Sequence, residues 1–187
     1  MKKFVIVTAV IFLFAGLSVA QSDIGFYGFG GRVGFVMPED PIDNTIAIGL
    51  NGDLGTIMPN LALFAYIDYW SKSYDEFNTE VSFSTLGFGA VVKYMFEVSG
   101  DLKPYAGGGL GLQRSSSSVE YKGDDTIGGF FGESYEADAS ETDLGIHFLG
   151  GASMALSPAM DGFAEVKYTI DGVDHLGIYV GINYKLR

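Results

Sequence analysis

Two histidines, His147 and His175, are the side chains best suited to proton transfer near neutral pH in this chain of 187 residues, which has no cysteine. General-base work by either would need a nucleophile or a metal beside it. No GxSxG, HExxH or phosphate-binding loop supplies one. The strings "GFGGRVG" and "AGGGLGLQ" sit within strand-like segments, so they miss the strand–turn–helix context of a dinucleotide fold. Asp124-Asp125 does not fit the D-x-[DN]-x-[DN]-G spacing of a calcium loop. No cofactor or metal-ligand set is therefore expected. What remains is a scatter of single charges in apolar surroundings: Arg32, Lys93, Lys167 and Lys185 against Asp53, Asp68, Asp143 and Glu165. Four of each sign can pair, and buried charges persist when they are paired.

The elements carrying these charges alternate with a period of two. In "HLGIYVGINYKLR" one set of positions is Leu176, Ile178, Val180, Ile182, Tyr184 and Leu186, and the other holds Gly177, Tyr179, Gly181, Asn183, Lys185 and Arg187. Such alternation makes a strand with two unlike faces. Eight segments read this way, at about 24–36, 45–57, 61–71, 81–96, 104–118, 142–156, 161–170 and 175–187. Across all eight, one face is apolar and free of charge, and the other collects glycine, the charges above and the large aromatics Phe64, Tyr66, Trp70, Tyr105 and Tyr179. Both histidines fall at the polar side, His147 on the sixth segment and His175 at the start of the eighth.

Physical chemistry decides which face looks inward. A soluble barrel would put Leu and Ile inside and wear glycine as its skin, although glycine weakens a strand and packs nothing. Inside an eight-stranded barrel the space is just wide enough for side chains, and glycines there make room for Arg, Lys and aromatic groups. The apolar face therefore points into lipid. The lumen network expected from this assignment comprises Arg32, Asp53, Asp68, Lys93, Glu165, Lys167 and Lys185, with Asp143 near the outer rim. Aromatics near the ends of the apolar face (Tyr27, Tyr94, Phe96 and Tyr184 at one end, Phe35, Tyr69 and Tyr168 at the other) fit two interfacial belts.

Export supplies the compartment. Lys2 and Lys3, the apolar run "FVIVTAVIFLFAGL" and Ser18-Val19-Ala20 have the layout of a cleavable signal peptide over residues 1–20, and the run is short for a spanning helix. Residues 21–187 then form one barrel domain with 9 basic and 23 acidic residues, a formal charge of −14. That balance argues against nucleic acid as a partner. The connections alternate between longer (37–44, 72–80, 119–141, 171–174) and shorter (58–60, 97–103, 157–160), as in barrels whose periplasmic turns are short. The longest, 119–141, carries seven acids against Lys122. Its Tyr121, Asp124, Asp125, Phe130, Phe131 and Tyr135 are the candidate interaction surface.

On signal peptide, strand number, face pattern and loop asymmetry, residues 23–187 resemble the small eight-stranded outer-membrane barrels of the OmpA/OmpX type. The resemblance implies an antiparallel up-and-down transmembrane barrel in a bacterial outer membrane, a monomer among lipid and lipopolysaccharide, inserted by the barrel-assembly machinery. That machinery commonly reads a terminal aromatic, and here Arg187 follows Tyr184 and Leu186. Lipid A deacylases of similar size use a serine two residues after a histidine, and His147-Phe148-Leu149 lacks it. The expected role is therefore non-enzymatic: structural or surface-interacting through acidic outer loops, toward an extracellular protein or surface ligand, with a narrow passive channel as the alternative.

Overall fold

The computed structural model describes residues 22–76, 79–121 and 135–186; the expected signal peptide lies outside them. Eight strands follow one another: β1 (Asp23–Pro38), β2 (Thr45–Met58), β3 (Leu61–Glu76), β4 (Thr79–Met95), β5 (Leu102–Tyr121), β6 (Tyr135–Ser157), β7 (Met160–Ile170) and β8 (His175–Lys185). Each pairs antiparallel with its neighbours in the chain, and β8 returns to β1, from Gly28↔Lys185 to Pro38↔His175. Closure leaves no free sheet edge within the barrel wall, which is how strands satisfy their backbone groups inside lipid.

Alternation is physical as well as sequential. Ile178, Val180 and Ile182 are about half exposed, while Tyr179 between them is fully buried. The outward face exposes Phe35, Ile48, Ile67, Phe88, Phe148 and Val166 in the same way. At its inner end Tyr94 stacks edge-on to Phe96 at 5.3 Å, and Phe29 lies 5.8 Å from Tyr184. The turn between β2 and β3 is tight because Asn60 takes a left-handed conformation (φ 65°), which Asn tolerates better than most residues.

The segments 72–80 and 119–141, expected as loops, are corrected by the structure, because strand extends into both. β3 and β4 stay paired to Glu76↔Thr79, and β5 and β6 to Tyr121↔Tyr135. Beyond the lipid both faces of a strand can be polar, so the apolar alternation that marks a membrane strand is lost while the pairing continues. The result is a four-stranded ribbon standing above the barrel wall, stitched by contacts such as Ser73 Oγ to Ser82 Oγ at 2.8 Å. The loop asymmetry read from the sequence is therefore in part an asymmetry of strand length.

The face expected to be free of charge also carries one. Arg114 follows Leu110 and Leu112 on the outward side of β5 and is exposed, in one row with Tyr69, Leu86 and Thr142. Above this row the outward residues are Ser84, Ser116 and Ser140, then Ser82, Ser118 and Asp138. Apolar cover thus ends at Leu86, Leu112 and Leu144, which marks the outer lipid boundary on this side of the barrel. Arg114 stands at that boundary, where a long side chain reaches polar surroundings.

Gly177, a lumen glycine, is not a neutral site, because a Cβ there would run into the Tyr179 ring. Gly31, on the lipid side, has nothing within 4 Å of where its Cβ would stand. Val180→Arg is therefore expected to cost about 2–4 kcal/mol of folding stability in vesicles, while Gly31→Ala changes it by less than about 0.5 kcal/mol. Urea unfolding of the barrel reconstituted in lipid vesicles measures both, and equal effects would invert the face assignment.

Candidate functional site

Charges and rings from separate strands meet at one level of the lumen. Arg32 of β1 donates from Nε and Nη2 to the two oxygens of Asp68 on β3, both at 2.7 Å, and from Nη1 to Glu165 of β7 at 3.2 Å. Lys167 Nζ joins Asp68 at 2.5 Å, and Lys93 Nζ of β4 joins Glu165 at 2.5 Å. Tyr105 of β5 donates its hydroxyl to the same Glu165 oxygen at 3.0 Å. Small residues make the space: a Cβ on Gly49 would strike the Asp68 carboxylate, and one on Gly34 would strike the Tyr179 ring.

Three cations face two carboxylates, so carboxylates alone leave one positive charge over. Aromatic faces take part of it. Lys167 Nζ lies 4.4 Å from the Tyr66 centroid, Lys93 Nζ 4.5 Å from that of Tyr105, and the Arg32 guanidinium 4.8 Å from that of Tyr179. Such contacts strengthen when water is excluded, and here it is: Lys167 and Glu165 are each 2% exposed and Arg32 is 8% exposed.

Five of the seven expected network residues come together in this way: Arg32, Asp68, Lys93, Glu165 and Lys167. Lys185 and Asp53 do not. Lys185 pairs with Asp161 at 2.7 Å at the periplasmic rim, where it is exposed. Asp53 accepts a bond from Gly55 N at 2.8 Å, closing an irregularity in β2 where Gly55 has a φ of 89°. Their side of the strand is right; their height in the barrel is not. Asp143 stands partly exposed at the outer rim, beside Gly172.

Both histidines have structural partners. His147 hydrogen-bonds Tyr66 through Nε2 and Thr169 Oγ1 through Nδ1 at 3.1 Å, and Gln113 Nε2 donates to the same Tyr66 hydroxyl at 3.2 Å. His175 Nδ1 bonds the Val173 carbonyl at 3.0 Å, with its ring against Trp70. Neither Gln113 nor Thr169 stands out as a site residue in the sequence. Their inward parity next to His147 is the available signal.

The outer end is acidic. Among the described residues beyond the lipid boundary, acids that include Glu39, Asp40, Asp43, Asp75, Glu80, Glu120, Asp138, Glu141, Asp143, Asp171 and Asp174 outnumber the bases Lys72 and Arg114. Burial pushes the Asp171 carboxyl up from 3.8 to about 6, with Asp174 and Asp143 adding to the effect against the Val173 N–H bond. Tyr121 and Tyr135 end the paired ladder of β5 and β6, while Asp124, Asp125, Phe130 and Phe131 lie outside the described residues.

Comparison with known proteins places this architecture. The family model described as "Outer membrane protein beta-barrel domain" matches residues 6–185. The chain belongs to this family. It is thus a small barrel of the bacterial outer membrane. Among solved structures, the barrel is similar to Neisserial surface protein A (TM-score 0.59, 18% identity, 88% of this chain and 99% of that one). It is also similar to Ail, the attachment invasion locus protein of Yersinia pestis, crystallised with the heparin analogue sucrose octasulfate (TM-score 0.57, 13% identity, 88% and 100% coverage). A third similar structure is a major outer membrane protein of Thermus thermophilus (TM-score 0.50, 11% identity, 87% and 100%). At these identities the likeness is one of fold. No curated protein sequence matches the chain.

Glu165→Gln removes the carboxylate bonded to Lys93 and is expected to destabilise the barrel by about 3–5 kcal/mol, against at most about 1 kcal/mol for Lys185→Gln at the exposed rim. Urea unfolding of the two variants side by side measures the difference. Asp171 gives a pH dependence of known sign. Its folded pKa is above its unfolded one, so its contribution is complete below about pH 4 and is lost as the pH rises through about 6. Asp171→Asn should remove this segment from the plot of unfolding midpoint against pH.

Proposed function

We propose that this barrel serves at the cell surface in a structural and surface-interacting role, presenting its acidic outer ribbon and connections while its lumen stays closed. The filled lumen carries this reading. A water-filled path would leave lumen side chains accessible, whereas Arg32, Asp68, Lys93, Glu165 and Lys167 are each less than a tenth exposed and Tyr179 is fully buried. What the protein offers a partner is then the ribbon, together with Tyr121, Asp124, Asp125, Phe130, Phe131 and Tyr135 in and beside the β5–β6 connection. In this reading the apolar belt meets outer-membrane lipid and lipopolysaccharide, and the barrel works as a monomer after insertion by the barrel-assembly machinery.

Charge narrows the partner's chemistry. Sucrose octasulfate, bound to Ail, is a polyanion. The excess of acidic residues over Lys72 and Arg114 among the described residues gives this outer end the opposite preference, for cationic or neutral polar surfaces.

Single-channel recording tests the reading directly. Bilayers holding the folded barrel, confirmed by its heat-dependent gel shift, should stay silent; reproducible steps on insertion would favour a narrow passive channel instead. The folded barrel should also pass unretained through a heparin column at low salt, and retention would reverse the charge argument.

A further inference from the structure

The ribbon above the lipid has two lateral edges, and they are finished differently. At the β3 edge, pairing with β2 ends at Ala47↔Trp70, and the β1–β2 connection then lies against the strand. Thr45 Oγ1 donates to the Ser71 carbonyl at 2.6 Å, Asp43 N donates to the Tyr74 hydroxyl at 2.5 Å, and Lys72 reaches Asp43 at 3.9 Å. At the other edge, β6 runs on past the end of β7. Its outermost pair with β7 is Ile146↔Ile170, whereas its ladder with β5 continues without a register shift from Gly111↔Gly145 to Val119↔Ala137 and beyond. The stretch 137–145 is therefore paired on one side. No hydrogen bond joins its other side to a described residue, and 137–142 are exposed without a break. The loop 171–174 meets this stretch at its foot, where Gly172 lies against the Asp143 carboxylate.

In an antiparallel pair, alternate residues turn their N–H and C=O groups away from the neighbouring strand, so 137–145 presents a row of backbone donors and acceptors to water. Exposed edges are commonly blunted by proline, lysine or a bulge, and this one has none of the three. What it has is Asp138, Glu141 and Asp143, and no base. We propose that the β6 edge takes up an extended basic segment of a partner protein as a further strand of the ribbon. In such strand addition backbone bonds supply the affinity, and side chains opposite the edge supply the selectivity. Lysine or arginine on the added strand would meet Asp138, Glu141 and Asp143. A second copy of this chain is a poor occupant, because pairing through the same edge sets three acids against three. An acidic segment meets the same repulsion. This binding rests on the reading of the ribbon as the surface offered to partners, and adds where and how a partner attaches.

The folded barrel in lipid nanodiscs would be titrated with a fluorescein-labelled peptide of about ten residues, alternating lysine and threonine, to match the length of the open edge. Two control peptides are its N-methylated counterpart, which keeps the charges and has no backbone N–H, and a peptide alternating glutamate and threonine. The expected result is saturable anisotropy with the lysine peptide alone, and a dissociation constant about fivefold higher in the Asp138→Asn/Glu141→Gln variant. Amide exchange within 137–145 should slow by about tenfold when the peptide is bound. The heat-dependent gel shift confirms that the variant is folded. Equal binding of the N-methylated peptide would mean attraction by charge alone, which overturns strand addition and leaves the surface role standing. Slowed exchange at 71–76 in place of 137–145, an affinity the double variant leaves unchanged, or no saturable binding would each overturn the proposal as well. Conducting steps in the bilayer recording would instead count against the surface role.

Discussion

Asp68 and Glu165 hold three cations between them in a space from which water is excluded, and much of the barrel follows from that arrangement. Charges buried this deeply would be costly alone, so each must be bonded, and the bonds run from β1 to β3 and β7, and from β4 and β5 to β7. Glycines such as Gly49 and Gly34 are small because an ion pair or a tyrosine ring occupies the volume a side chain would fill. The tyrosines serve twice, as filling and as faces for the surplus positive charge. Satisfying these charges fills the lumen at their level with side chains.

With the interior spoken for, the exterior divides by solvent. Leucine, isoleucine, valine and aromatic side chains cover the wall up to Leu86, Leu112 and Leu144; above them serine, threonine and acids take over on the same strands without a break in pairing. Lipid requires the apolar cover, and water permits anything that pairs. The ribbon is therefore continuous with the membrane wall, and its paired strands carry the acidic outer surface.

Alternation in the sequence recovers the barrel wall well and its ends poorly. In "HLGIYVGINYKLR" it places Ile178, Val180 and Ile182 outward and Tyr179 inward, as the structure has them. It fails for 72–76, where both faces are polar, and for 135–141, where alternation rests only on a tyrosine and two alanines among acids and serine. Arg114 escapes notice for a related reason: alternation treats its segment as lipid-facing along the whole length, although the upper part has already left the lipid.

Period, turn residues and composition determined that there are strands, how many, in what order they pair and which face of each meets lipid, because all of these are local or nearest-neighbour properties. Which charges meet was decided only by the closed barrel. Parity assigns Lys185 and Lys167 to the same side, yet one reaches Asp161 at the rim and the other Asp68 in the lumen. Arg32 and Glu165 are separated by 133 positions along the chain and stand at one level because of the tilt and stagger of eight strands. A side chain's face is written in its own strand, but its depth is fixed by the register of all the others.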